Sequence, residues 1–243
     1  MTTGDDAYEA ESDSAAMALV HKILGVGVNG LGPYKSASAM ADEVLATHGD
    51  VDVAIARLIA IHRRWVGSTG FATGLGGLAS MPVALPTDIT TFYMLSARMS
   101  ASIAVLRGYD LSSEEVQSAV LISLLGANAA GVLGRVGVDI GAKSAMAGLK
   151  RLPGHVLIEI NKKVGYRLLT KFGTKGSINL VKAVPIVGGG VGAGVNVVAI
   201  NQIARYSKRT FVPLGSEFYA SGRVRTSPSS RGREGDTGDR GHP

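Results

Sequence analysis

Cysteine is missing from all 243 residues. That excludes a disulfide framework, a thiolate nucleophile and a thiolate metal site. Aromatic residues make up only 5% of the chain and charged residues 18%, against roughly 25% charged in an average soluble domain. A core short of rings has to close by approach of backbones rather than by packing of large side chains. What is plentiful fits that reading: 33 glycines and 46% hydrophobic residues, the glycine share being about twice the usual ~7%.

Catalytic and cofactor motifs are also lacking. A phosphate-binding loop needs G-x-x-x-x-G-K-[ST] after a strand, and Gly137–Ser144 places Ala142 between glycine and lysine. Gly74–Ala79 is a degenerate G-x-G-x-x-G without the strand, and Gly188–Gly194 has the wrong spacing. No G-x-S-x-G nucleophile elbow occurs. The histidines, His21, His48, His62, His155 and His242, share no i, i+4 spacing and read as surface or cap residues. No cofactor, no metal and no nucleic-acid partner is expected.

Three parts are expected along the chain. Residues 1–14 carry Asp5, Asp6, Glu9, Glu11 and Asp13 and no base, which reads as a flexible acidic lead and not as a secretory signal, so a cytoplasmic location is expected. Residues 15–221 read as one helical domain. Residues 222–243 are Gly, Ser, Arg and Asp without apolar periodicity and are expected to be disordered.

Helix punctuation is frequent within the domain. Ser36 precedes a helix that stops at Gly49. Asp50 caps the next, whose Val51, Ile55, Leu58, Ile59 and His62 share one side and which is expected to stop at Gly67 after the basic turn His62–Arg64. Pro86 and Asp88 lead into a helix that carries Arg98 and ends at Gly108. Ser112 and Glu115 form a capping box. Pro153 opens a helix to about Gly173, with Leu157, Ile160, Val164, Leu168 and Phe172 on one side. The predicted fold class is all-α, a compact glycine-rich helical bundle with disordered termini.

Trp65–Thr87, Val116–Gly134 and Ala183–Ala204 carry no charge. Each reaches the ~20 residues of a bilayer span, but glycine and proline weaken insertion, so buried bundle helices are expected. Gly70, Gly74 and Gly77, with Gly188 and Gly192, supply small residues at spacings that let a second helix or an acyl chain lie close.

The net charge is +6, and between Lys143 and Lys182 nine bases stand against one acid, Glu159. Such a surplus suits a polyanionic surface. Lys162, Lys163, Arg167, Lys171 and Lys175 are the candidate anion-binding residues.

The runs Gly70–Leu111 and Ile160–Asn196 resemble the signature of the EcsC family. The resemblance covers about residues 37–211 and includes Asp88, Arg98, Gly108, Lys162, Gly165 and Arg167. It implies no catalytic residues. The family takes its name from a gene beside an ABC transporter, which implies a membrane context and an ABC transporter as candidate partner.

The functional expectation is a non-enzymatic helical protein acting peripherally on an anionic membrane surface, at the inner face of the cell membrane. Two alternatives stand beside it. One is a hydrolase-type enzyme using Asp88 or Glu159 with Arg98. The other is a soluble scaffold whose apolar stretches are core.

Overall fold

Much of this helix punctuation reappears in the computed structural model, which describes residues 3–30, 34–75, 77–126, 129–135, 145–172 and 188–214. Among the described residues there are nine helices and no strand: α1 (Thr3–Asn29), α2 (Ala37–His48), α3 (Val51–Leu75), α4 (Gly77–Leu106), α5 (Glu114–Ser123), α6 (Ala129–Arg135), α7 (Ala145–Leu149), α8 (Gly154–Phe172) and α9 (Gly188–Thr210). The fold is all-α. Residues 1–213 cluster as one compact unit. The expected tail at 222–243 lies outside the described residues.

The caps are local chemistry. Ser36 Oγ accepts from Ala39 N at 3.1 Å to open α2, and Gly49 closes it at φ 71°. Asp50 Oδ1 accepts from Val53 N at 2.9 Å and opens α3. At the end of α4, Gly108 N bonds to Val105 O and Tyr109 N to Ala104 O, both at 2.9 Å, with Gly108 at φ 89°. This paired arrangement satisfies carbonyls that a helix end leaves open. A side chain at that φ is strained, so Gly108→Ala is expected to cost about 1 kcal/mol, read as a lower midpoint in urea unfolding.

Three sequence expectations change. The helix from Asp50 does not stop at Gly67 but runs to Leu75, because α9 packs along it and Val197 meets Gly67. The helix expected after Pro86 begins at Gly77. Pro82 and Pro86 therefore lie inside α4, where a proline costs ~3 kcal/mol. The cap of α5 is Ser113, not Ser112: Ser113 Oγ accepts from Val116 N and donates to Glu115, while Ser112 N is taken by Asp110 Oδ1 at 2.9 Å. Helix α1 starts at Thr3, within the acidic segment. Acids at a helix N-terminus suit its dipole, and Asp13 pairs with Lys162 of α8 at 2.9 Å.

Helix α4 is the centre, in contact with α1, α2, α3, α5 and α9. Its residues Leu95–Ala104 are buried on every side, and most are Ser or Ala. Small residues let the neighbours come close. Ser207 of α9 donates to Ser100 at 2.9 Å, and Ser102 donates to Ala37 O at the start of α2. Helix α1 buries Ala16, Val20 and Ile23, and α8 buries Leu157, Ile160, Val164 and Leu168 against it and α5. Tyr109 donates to Val212 O at 2.9 Å and meets Phe211 edge-on, which fastens the end of α9 beside α4.

Among the described residues, no helix is long and apolar enough to cross a membrane.

Candidate functional site

Thr91, Leu95 and Arg98 recur at i, i+4 and i+7 on α4, so they share one helix face. That face looks into a cavity of about 460 Å³ whose other walls are Tyr34, Lys35, Met40 and Glu43, from α2 and the residues before it, and Trp65 and Ser68 of α3.

Arg98 is the unusual residue there. Only 3% of it is exposed. Its guanidinium lies 4.8 Å from the Trp65 ring centre and 5.5 Å from that of Tyr34. Nη1 donates to Lys35 O at 3.4 Å. Nε and Nη2 are buried without a hydrogen-bond partner. Burial pulls the Arg98 pKa below its ordinary value, and Tyr34 works against that pull. Ring faces compensate a cation by about 0.5–2 kcal/mol each, which leaves a buried charge short of partners.

His62, one turn before Trp65, is fully buried. The expectation of a surface or cap histidine is therefore corrected: His62 lies on the inward face of α3 with Ile55 and Leu58. Its Nδ1 is 2.9 Å from Leu58 O. A carbonyl only accepts, so Nδ1 carries the proton and Nε2 is bare, and Nε2 has no partner. Burial above all, with a smaller contribution from nearby Arg98, lowers the His62 pKa to about 4. The ring is neutral at pH 7 and meets Trp65 edge-on, centroids 5.2 Å apart.

A second cavity, of about 450 Å³, lies between α3 and α9. Ile59, Arg63, Val198, Asn201, Ala204, Arg205 and Lys208 line it. Arg63, Arg205 and Lys208 are exposed, and no acid is among the described lining residues. Val198 on its wall is 57% exposed, and Val195, one turn earlier on α9, is 59% exposed.

The residues singled out in the sequence are distributed as follows. Arg98 and Asp88 both sit on α4, ten residues or ~15 Å of rise apart, and the Asp88 side chain lies outside the described residues. Glu159 is exposed on α8 and pairs with Lys163 at 2.7 Å, a contact that holds its pKa low. It lines neither cavity. Lys162 is matched by Asp13, and Arg167 is half-buried on α8. Lys171 is placed on α8 by backbone alone, and Lys175 lies outside the described residues. The glycines Gly70 and Gly74 of α3, Gly77 of α4, and Gly188 and Gly192 of α9 are likewise placed by backbone alone. Asn196 donates to Val66 O at 3.4 Å, and the groove joins Arg63 to Arg205 further along, so α3 and α9 run antiparallel. Gly70, Gly74, Gly188 and Gly192 therefore fall at the same end of that pair. Among the described residues, no group of His, Asp or Glu is arranged to hold a metal ion.

Sequence reasoning missed Tyr34, Trp65 and Lys35 at the first cavity, and Arg63, Arg205 and Lys208 as a group. One signal was present: Arg98 is the single charge between Ile89 and Leu106. No family model matches the chain, and neither does a curated protein or a solved structure.

Proposed function

We propose that this chain is a non-enzymatic helical protein that docks peripherally on an anionic membrane surface through the outer side of α3 and α9. The observation that carries this reading is the acid-free groove of Arg63, Arg205 and Lys208 next to exposed Val195 and Val198. Bases near an anionic bilayer contribute about 1 kcal/mol each, and apolar side chains beside them add shallow insertion.

The reading moves the main contact away from α8. There Lys162 and Lys163 are already matched by Asp13 and Glu159, so they offer less uncompensated charge than the groove does. Lys162, Lys163, Arg167, Lys171 and Lys175 remain an auxiliary surface in this proposal. The inner face of the cell membrane, membership of the EcsC family and an ABC transporter as partner belong to the same proposal, supported by the resemblance of Gly70–Leu111 and Ile160–Asn196.

Flotation with phosphatidylglycerol-containing and phosphatidylcholine vesicles tests it. Binding is expected on the anionic vesicles at low salt and lost at high salt. Arg205→Ala with Lys208→Ala is expected to weaken binding by about thirtyfold, two bases at about 1 kcal/mol each, and Lys162→Ala with Lys163→Ala by less. Salt-insensitive binding, or binding indifferent to Arg205 and Lys208, would reject the groove. No flotation at all would leave the soluble scaffold as the reading.

A further inference from the structure

We propose that the Arg98 cavity is a binding site for a small organic monocarboxylate with a flat or apolar body. This site is separate from the α3–α9 groove, and its test does not depend on membrane binding.

The first reason is the pattern of unpaired donors. Nε–H and the adjacent Nη2–H form the side-on fork of a guanidinium, the edge that matches the two oxygens of a carboxylate. In Arg98 these are the two nitrogens without partners, while Nη1 is the one that reaches Lys35 O. A buried cation with an open fork is costly unless something completes it. Among the described residues nothing does: Glu43, the acid on the cavity wall, is bonded to Lys35 at 2.7 Å.

The second reason is charge. The Lys35–Glu43 pair is matched, so among the described residues Arg98 is the one cation on the lining without an acid. A single negative charge balances it. A phosphate monoester would bring about two charges at neutral pH and set them near Glu43.

The third reason is shape. A volume of about 460 Å³ is within the range of small-ligand pockets. Trp65, Tyr34, Met40 and Leu95 give it apolar walls, and Ser68 adds a hydroxyl. The two rings over the guanidinium are themselves partly exposed, Tyr34 at 54% and Trp65 at 38%. In this proposal the buried fork is reached by movement of one of these rings.

Trp65 is the chain's one tryptophan, so its fluorescence reports this cavity alone. Titration of the full chain with phenylacetate and with hexanoate is expected to give a saturable change in Trp65 emission for at least one of them. Phenylacetamide, the same shape without the charge, is expected to bind at least tenfold more weakly, and phenyl phosphate more weakly than phenylacetate. Arg98→Met is expected to lose the response while its thermal midpoint stays level or rises, since it removes an unpaired buried charge. Arg98→Lys keeps the charge without the fork and is expected to weaken binding at least tenfold, which covers the case in which the Met variant fails to fold. No saturable response to either carboxylate, an equal response to the amide, tighter binding of phenyl phosphate, or an unchanged response in a folded Arg98 variant would each overturn the assignment.

Discussion

Lowering the pH from 7 to 4 is expected to remove about 3 kcal/mol of folding stability through His62 alone, and His62→Leu to remove that part of the acid sensitivity. In the fold, burial holds this imidazole's pKa near 4, against an ordinary 6.5. The unfolded chain therefore takes up the proton first as pH falls. Stability is full well above pH 6.5, declines between 6.5 and 4, and levels off about one pH unit below 4, where both states are protonated. At 1.36 kcal/mol per pH unit the gap corresponds to about 3 kcal/mol. The measurement is urea unfolding at pH 7, 5.5 and 4.5 for both proteins. The informative quantity is their difference, because carboxylates such as Glu115 and Glu159 titrate in both. In the variant, the Leu58 carbonyl keeps its helical bond from the backbone of residue 62, so stability at pH 7 is expected to change little. Parallel pH profiles would show that His62 is not held neutral by burial.

The second large effect concerns the crossing of α1 and α8. A Cβ at Gly165 would lie 2.6 Å from the carbonyl oxygen of Ala16 and 3.0 Å from its carbon. Both are backbone atoms, so no side-chain rotation relieves the overlap. The two helices would have to separate, loosening Val20, Val164 and Leu168. Overpacking of this kind costs about 1–3 kcal/mol, and the backbone clash places Gly165→Ala at the upper end. Gly194 is the internal control. It lies inside α9 with nothing within 4 Å of a Cβ, so Gly194→Ala is expected to stabilise by up to about 1 kcal/mol through helix propensity. Urea midpoints moving in opposite directions would establish that Gly165 serves close approach. A neutral or stabilised Gly165→Ala would show that α1 and α8 are not in backbone contact.

These two residues also show where local reading stops. His62 was placed on the apolar side of its helix by spacing, yet as a histidine it read as surface. Its burial became visible only once α3 was packed between α4 and α9. Gly165 was one of many glycines, and the Ala16 carbonyl that requires it is some 150 positions away. By contrast Ser36, Gly49, Asp50 and Gly108 were legible because a cap is a bond between residues two to five apart. The boundary misread at Gly67 is the converse case: a local breaker that distant packing overrode.

The candidate sites divide the same way. Arg98 stood out as a lone charge in an uncharged run, and the bases of α8 stood out as a cluster. The acid that matches Lys162 and the rings that enclose Arg98 come from other helices. No spacing rule joins Asp13 to Lys162, Tyr34 to Arg98, or Arg63 to Arg205.

By itself the sequence determined the class of this protein, an all-α chain rich in glycine, without thiol chemistry, and with most of its helix caps. These follow from composition and from bonds between near neighbours. Only the tertiary structure decided which charges are spent and which are open. It paired Lys162 with Asp13, left Arg63, Arg205 and Lys208 exposed, and buried Arg98 with its fork unfilled. Electrostatic availability depends on which surfaces pack together, and that is set by contacts between residues far apart in the chain.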